Sequence, residues 1–285
     1  MSISASQVKE LREMSGVGMM ECKKALVETN GDLQQALDLL RANSSLKAEK
    51  KASRVAADGA VKVAETSAYV SLVEINSETD FAAKDTQFKD FTRAVADHLV
   101  SSQIDSIEVL NEAFDAQRQT LIQSIGENIQ LRRLQTLDVP SGGCIGAYLH
   151  SDGKLAALVS IDTDNMELAK DLAMHVSATN PTCLQSEDID PELLERERSI
   201  FLAQAEESGK DASIMEKMVE GKVKRFLSEV TIVSQGFVKN PDQSIEELLK
   251  ENNTSIIAFA SLKVGEDIEV EVKDFAAEVA EQLQK

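Results

Sequence analysis

EINSETDFAAKD, residues 74–85, places the ring of Phe81 directly after the carboxylate of Asp80, at a point where a strand pattern ends and a helix pattern begins. A ring at such a corner either folds back onto its own core or projects as a wedge toward another protein. Large apolar side chains are mostly buried, which favours the first alternative for a lone Phe. The polar neighbours of Phe81 and the rest of the chain favour the second.

The composition is that of an acidic globular chain. Its 285 residues, 42% of them hydrophobic, are enough for a sizeable core and suggest two or three domains. The net charge of −19 argues against binding to duplex nucleic acid, which requires clustered Lys and Arg, and against an anionic membrane surface. We therefore expect no direct nucleic-acid or membrane contact, and a protein partner with basic patches.

The cysteines and the N-terminus indicate the compartment. Cys22, Cys144 and Cys183 are odd in number and widely spaced, so neither a disulfide framework nor a zinc site is expected. No signal peptide is visible, and no apolar run approaches the roughly 18 residues of a membrane span. These features predict a reducing, cytoplasmic location.

Residues 1–45 are predicted to form a three-helix N-terminal module. Apolar residues recur at helical spacing, and turns are expected at residues 16–18 and 30–32, with Asp32 capping the third helix. Residues 46–56 follow as a locally basic linker. It is either a solvated connector or a contact for an acidic partner surface.

Two similar α+β subdomains with antiparallel sheets are predicted next, one at residues 57–139 and the other at residues 140–186 with 229–265. Each begins with a hairpin, around Thr66-Ser67 in the first and Ser151-Asp152-Gly153 in the second. VTIVSQGFV (230–238) and SIIAFASLKV (255–264) are both expected to resume the second sheet.

The two subdomains also resemble each other in sequence. SLVEINSETD (71–80) is similar to ALVSIDTDN (157–165), and the helices that follow align His98 with His175. An internal duplication explains this most simply. Both histidines lie on apolar helix faces, where a core position is the expected role, ahead of a ligand role.

Helical segments interrupt and end the second subdomain. Residues 187–228 are predicted to form an inserted antiparallel helical hairpin, of coiled-coil type, around the turn ESGKD (207–211). Residues 266–285 are predicted to form a C-terminal helical module with Phe275 on its apolar face.

Catalytic motifs are missing from the sequence. We find no GxxxxGK[ST], HExxH or GxSxG, and the three histidines are far apart. Glu78 and Asp80 could serve acid–base chemistry, but acids are common in this chain and carry little weight. We expect no enzyme activity, cofactor or metal site, and a function exerted on another protein.

Five motifs in order resemble bacterial elongation factor Ts, the family of guanine-nucleotide exchange factors for elongation factor Tu. They are GVGMMECKKAL (16–26), NSETDFAAKD (76–85), IGENIQLRR (125–133), LAMHV (172–176) and DFAAEVA (274–280). The resemblance implies that the N-terminal module is similar to ubiquitin-associated domains. It also implies that the inserted hairpin corresponds to the long bacterial form of the factor.

The resemblance further implies a role in translation and a set of contact residues. Asp80 and Phe81, framed by Thr79 and Ala82, would enter the GTPase domain near its Mg²⁺ site and dislodge the ion. Ala82 stands where the family often has Val, which removes some apolar contact area. Further partner contacts are implied for Met19, Met20, Lys23, His150 and Phe275. Both a monomer and a homodimer within a heterotetramer remain open.

Two other functions are compatible with parts of the sequence. The N-terminal module alone could make the chain a non-enzymatic adaptor that binds a protein partner. A carboxylate-based hydrolase using Glu78 and Asp80 is the more distant alternative, because the usual motifs are missing.

Overall fold

The computed structural model describes residues 3–207 and 211–269, and these form an α+β fold. The predicted turn at residues 207–211 lies mostly outside the described residues. So does most of the predicted C-terminal module at residues 266–285, including Phe275. Within the described ranges, every helix is too short or too polar to cross a lipid bilayer.

Three helices form the N-terminal module: α1 (Ala5–Ser15), α2 (Met19–Glu28) and α3 (Leu33–Lys51). Ser4 and Gln7 make a capping box at the start of α1, and Gly16 ends that helix with a φ of 67°. Asp32 caps α3 as predicted, accepting a 2.9 Å hydrogen bond from the Gln35 N–H. Leu11, Leu26 and Leu40 are among the side chains that form the module's buried core.

Helix α3 corrects the predicted linker at residues 46–56, because it continues to Lys51. Ser44 and Ala48 are buried, and Ser44 donates a hydrogen bond to Gln123 of a later helix. Tertiary packing therefore extends the helix into a segment whose sequence is polar and basic. Three of its cations contact acceptors of the same chain: Lys47 contacts Glu21, Lys51 the carbonyl of Gly126, and Arg54 the carboxylate of Glu78.

The first sheet has three strands in the order β1-β2-β3, so β2 is central and is buried along its whole length. The elements are β1 (Asp58–Glu65), β2 (Tyr69–Ser77), α4 (Asp80–Lys84), α5 (Thr86–Ser101), α6 (Ile107–Ile125) and β3 (Ile129–Asp138). The predicted hairpin turn is present, with the Thr66 N–H donating to the Tyr69 carbonyl over 2.9 Å. The helix pattern after β2 is split at Asp85, whose extended backbone separates α4 from α5.

A buried carboxylate organises the middle of this sheet. Glu74 on β2 is fully buried and accepts hydrogen bonds from Arg132 (3.1 Å) and Arg133 (2.5 Å) of β3. It also accepts from the Asn76 side chain (3.0 Å) and from the backbone N–H of Gly265 (2.9 Å). Burial opposes the charge on Arg133, but its contacts with Glu74 and then Glu266 outweigh burial and raise the pKa of the guanidinium. The charge of Glu74 is thus fully compensated inside the protein.

The second sheet has the order β4-β5-β8, again with the second strand of a hairpin at its centre. β4 and β5 pair antiparallel from Cys144 opposite Ile161 to Leu149 opposite Ala156. The elements are β4 (Cys144–Leu149), β5 (Leu155–Ile161), α7 (Met166–Thr179), α8 (Pro191–Glu206), α9 (Ala212–Val230), β6 (Gly236–Phe237), β7 (Asn240–Ser244), α10 (Ile245–Glu251) and β8 (Ile256–Lys263). The shared order of the two sheets agrees with the predicted duplication.

One predicted strand is wrong. Residues 230–238 do not join the second sheet; they contain a 3₁₀ turn at Ile232–Ser234 and the two-residue strand β6, which pairs with β7 in a separate sheet. Ile232 is buried, and its N–H donates to the Cys183 carbonyl over 3.1 Å. Ile232 and Phe237 are therefore buried without joining the second sheet, in a segment whose backbone is hydrogen-bonded to loop carbonyls.

The inserted hairpin consists of α8 and α9, which pack against each other. The rings of Phe201 and Phe226 lie 6.3 Å apart, edge to face. At the base of the hairpin, Cys183 and Thr231 form an isolated parallel bridge. The base is thus closed by backbone pairing as well as by side-chain packing.

The described chain divides into two compact units. One comprises residues 3–62, 73–134 and 263–269, and the other residues 63–72 and 135–262. The predicted boundary between residues 139 and 140 stays a prediction. His175 is buried in the core as expected, whereas His98 is half-buried with its ring 5.3 Å from that of Phe114.

Candidate functional site

The corner at residues 79–85 is a single helical turn, α4, with a cap at each end. The Thr79 hydroxyl accepts a 3.3 Å hydrogen bond from the Ala82 N–H and so caps the start of α4. Asp85 ends α4 and caps α5, accepting a 2.7 Å bond from the Gln87 N–H. A five-residue helix is too short to be stable alone, so these caps and its tertiary contacts fix its position.

Phe81 projects away from the protein at this turn. Its side chain is 82% exposed, whereas the adjacent Ala82 is only 4% exposed. Successive residues of a helix point about 100° apart, so Ala82 can face the interior while Phe81 faces outward. The alternative in which Phe81 folds back onto its own core does not hold.

A carboxylate from the loop after α6 holds the corner. Glu127 accepts the backbone N–H of Thr79 at one oxygen (2.9 Å) and the Thr79 hydroxyl at the other (2.7 Å). The Ser77 hydroxyl donates to the Thr79 carbonyl over 3.0 Å. The N–H, carbonyl and hydroxyl of Thr79 are therefore all hydrogen-bonded.

The two acids of the corner have different partners. Glu78 accepts the Asn128 N–H over 2.6 Å and lies 3.5 Å from the guanidinium of Arg54. Asp80 forms a 2.6 Å ion pair with Lys84, and the hydrogen bond and charge of Asp80 raise the pKa of that lysine. These separate partnerships give no support to acid–base chemistry shared by Glu78 and Asp80.

Helix α2 carries the N-terminal contact residues. Met19 and Met20 are exposed, Met20 by 68%, and Lys23 is exposed beside them. Met20 and Lys23 line a shallow groove that continues to Val27. The exposed methionines make an apolar surface next to a cation, suited to a protein partner.

The opposite side of α2 is tied to its own unit through Glu21. This carboxylate contacts Lys47 of α3 and accepts a 2.5 Å hydrogen bond from Gln123 of α6. Burial opposes its ionisation, but the contacts with Lys47 and Gln123 outweigh burial and lower the pKa of Glu21. The surface bearing Met19 and Met20 is therefore attached to a fixed helix.

His150 lies in the β4–β5 turn of the other unit. Its Nδ1 is 2.9 Å from Asp152, and its backbone N–H donates to the Leu155 carbonyl over 2.8 Å. The Lys154 N–H and then the His150 ring lower the pKa of Asp152. The imidazole remains about half exposed and available to a partner.

Metal ligands do not cluster in residues 3–207 and 211–269, where no group of three or more His, Cys, Asp or Glu side chains could hold an ion. The three cysteines are buried free thiols. What the corner presents to a partner is the exposed ring of Phe81 on a turn held by hydrogen bonds.

Comparison with known proteins assigns the family. The family model described as elongation factor TS matches residues 78–266. The elongation factor Ts of Hahella chejuensis is 47% identical over 285 residues, covering 99% of each chain, and that of Saccharophagus degradans is 47% identical over 99% of this chain and 98% of the relative. The chain belongs to the elongation factor Ts family. It is therefore a translation elongation factor with a role in protein biosynthesis.

The predicted contact residues lie on separate elements of the structure. Thr79, Asp80, Phe81 and Ala82 form one turn, Met19, Met20 and Lys23 share α2, and His150 lies in the second unit. Their role in partner binding stays a prediction. Phe275 lies outside the described residues.

The residues that hold the turn in this chain could not be recognised from the sequence. Glu127 and Asn128 lie within the IGENIQLRR motif, which indicates the family but not what these two residues contact. Their partners, Thr79 and Glu78, are 48 and 50 residues away in sequence. The available signal was the position of this polar pair, which directly follows Gly126 at the end of α6.

Proposed function

We propose that this chain is a guanine-nucleotide exchange factor: it binds elongation factor Tu in its GDP form, disturbs the Mg²⁺ and phosphate site, and promotes GDP release so that GTP can bind. The observation that carries the proposal is the outward projection of Phe81 from a turn whose backbone is fixed. Family membership supplies the context. In this role the chain performs no chemistry and requires no cofactor.

Exchange requires that the factor bind one state of the GTPase better than another. A ligand with equal affinity for the loaded and the nucleotide-free states shifts nothing. By linkage, the factor weakens nucleotide binding by the same ratio by which nucleotide weakens the factor. Shifting a population from 1:99 to 99:1 takes about 5.5 kcal/mol of differential affinity.

Phe81 would supply part of that difference. Fully burying a Phe side chain is worth roughly 1.5–3 kcal/mol, provided that its pocket exists only in the nucleotide-free state. Because the turn is already ordered, little conformational entropy is lost on insertion. Asp80, paired with Lys84, brings a carboxylate to the same place, where it would act on nearby helix N-termini of the GTPase.

The remaining differential affinity would come from surfaces that position the ring. The exposed face of α2, with Met19, Met20 and Lys23, is suited to gripping a helix of the GTPase domain. His150 would add a contact from the second unit, and Phe275 one from the C-terminal segment. When one contact with a partner has formed, each further contact forms at a high effective concentration, which raises the overall affinity.

The decisive experiment is GDP release from purified elongation factor Tu loaded with a fluorescent GDP. Addition of this protein should accelerate release in a concentration-dependent manner, and excess GDP should dissociate the complex. An unchanged release rate across the whole concentration range would refute the proposal.

The exposed groove on α2 favours one alternative, an adaptor that binds a protein through the N-terminal module. Capture experiments separate the two functions. An exchange factor retains a GTPase that GDP elutes, whereas an adaptor's complex is indifferent to GDP.

A further inference from the structure

We propose that Glu127 is the positioning residue that fixes the direction in which Phe81 projects; this role rests on the proposed exchange function. The role follows from the hydrogen bonds of Glu127. Glu127 binds Thr79, two residues before Phe81, through both carboxylate oxygens, at 2.9 Å and 2.7 Å. Because Phe81 is 82% exposed, its own packing does little to set its direction, and the backbone of α4 must do so.

The Thr79 hydroxyl couples Glu127 to the helical turn. It donates to Glu127 over 2.7 Å and accepts from the Ala82 N–H over 3.3 Å. A hydroxyl has one proton and two lone pairs, so it can satisfy both contacts at once. Rotating the Thr79 side chain would break both the hydrogen bond from its hydroxyl to Glu127 and the helix cap.

Glu127 is itself held on a rigid segment. Gly126 ends α6 in the left-handed conformation with a φ of 89°, and its carbonyl accepts from Lys51. On the other side, the Asn128 N–H binds Glu78 over 2.6 Å. Both neighbours of Glu127 in the sequence are thus anchored, so its carboxylate is a fixed point for the turn.

Two substitutions separate reach from charge at this position. Glu127→Gln keeps the length of the side chain: its amide oxygen can accept the Thr79 N–H, and its amide N–H₂ can donate to the Thr79 hydroxyl oxygen. Glu127→Asp keeps the charge and both carboxylate oxygens but is one methylene shorter, so these oxygens fall short of the Thr79 N–H and hydroxyl.

The GDP-release assay with elongation factor Tu is the functional readout. A positioning role predicts that Glu127→Gln stays within about threefold of the unmodified protein, while Glu127→Asp loses about tenfold, as expected when charge-assisted hydrogen bonds are lost. The opposite ranking, with Asp active and Gln inactive, would mean that the charge acts directly on the partner and would overturn the proposal. Equal activity of all three proteins would overturn it as well.

A double-mutant cycle tests whether Glu127 acts through Phe81. In a Phe81→Ala background, Glu127→Asp should cost little more, because the ring it positions is absent. Full additivity of the two losses would contradict a role exerted through the ring.

A second readout needs no GTPase. The sequence contains no Trp, so Phe81→Trp introduces a single indole reporter at the corner. Glu127→Asp should increase its local motion in fluorescence anisotropy decay, while Glu127→Gln should not. Unchanged anisotropy in the Asp variant would refute the positioning role. If the unmodified protein fails to accelerate GDP release from elongation factor Tu, the proposed exchange function fails instead. The anisotropy result still decides whether Glu127 orders the turn.

Discussion

Phe81 and Ala82 adjoin in sequence and face opposite environments, the first 82% and the second 4% exposed. In a folded chain the larger apolar side chain is normally the buried one. Here a capped turn buries the methyl group and leaves the ring outside. The free energy that burying the ring would contribute is therefore absent from folding and available for binding.

We expect Phe81→Ala to leave the free energy of unfolding within about 0.5 kcal/mol of the unmodified protein, since it alters an exposed position. Accelerated GDP release from elongation factor Tu should fall by roughly 10- to 100-fold, the equivalent of losing one buried Phe. Urea unfolding and stopped-flow release of fluorescent GDP provide the two measurements. A stable variant with unimpaired release would remove Phe81 from the mechanism.

The neighbouring position should respond in the opposite way. Ala82→Gly removes only one methyl group, yet it should lower the free energy of unfolding by about 1–2 kcal/mol, from lost burial and lower helix propensity. Urea denaturation of both variants side by side checks this. Phe81→Ala proving the more destabilising of the two would contradict the observed packing.

Glu74→Ala should be among the most destabilising single substitutions in the first unit. It removes the carboxylate that Arg132 and Arg133 share, and each of these arginines is about a quarter exposed or less; within the described residues, only Arg133 retains a second ion pair, with Glu266. Breaking a buried ion pair on one side typically costs about 3 kcal/mol or more. Glu65→Ala, at an exposed position at the end of β1, is the matched control and should change the midpoint of thermal unfolding little.

His175 should make stability depend on pH. Its Nδ1 accepts the Val238 N–H (3.3 Å), so the proton of the neutral ring lies on Nε2, which is 2.9 Å from the Gln235 side-chain oxygen. Burial lowers the pKa of His175, against an opposing effect of the Gln235 hydrogen bond. Below its ordinary pKa of about 6.5 the unfolded chain binds a proton that the folded chain does not, so stability falls as pH drops through that value toward the lowered pKa.

The check is urea unfolding between about pH 7.5 and pH 5.5, across the ordinary titration range of His. The loss of unfolding free energy should be smaller in His175→Gln than in the unmodified protein. An identical loss in both proteins would show that other groups carry the whole dependence.

The inserted hairpin should be removable. Its base is closed by the bridge between Cys183 and Thr231, and the Thr182 N–H donates to the Val230 carbonyl over 2.9 Å. We expect that replacing residues 191–226 with a short Gly-Ser linker leaves a folded protein that still accelerates GDP release. Circular dichroism and the release assay test this, and collapse of the folded signal would count against an independent hairpin.

Much of the fold could be predicted from local patterns. Helix α6 (Ile107–Ile125) is an example, because its apolar residues at helical spacing and Gly126, which ends it in the left-handed conformation, are local features of the sequence. The extension of α3 to Lys51 could not be seen, since it depends on packing against α6 through the small residues Ser44 and Ala48. Residues 230–238 have a pattern that predicts a strand of the second sheet. In the folded protein they form a 3₁₀ turn and a two-residue strand of a separate sheet instead.

The candidate site shows the same division. The change from a strand pattern to a helix pattern predicts the corner at Asp80 and Phe81. The Thr79 that caps the short helix is also a local signal. The hold exerted by Glu127 depends on two segments 48 residues apart that meet only in the folded protein. The outward direction of Phe81 likewise depends on tertiary packing, because the adjacent Ala82 occupies the buried side of the turn.

The two sheet-and-helix repeats differ in the connection between the central strand and the helix that follows it. Four positions separate Ile161, the last residue of β5, from Asn165, the cap of α7, whereas ten separate the aligned Ile75 from Asp85, the cap of α5. The shorter path shows that joining such a strand to such a helix does not need α4. The turn that bears Phe81 is thus an addition to one copy of a repeated framework, and the second copy joins its strand to its helix without it.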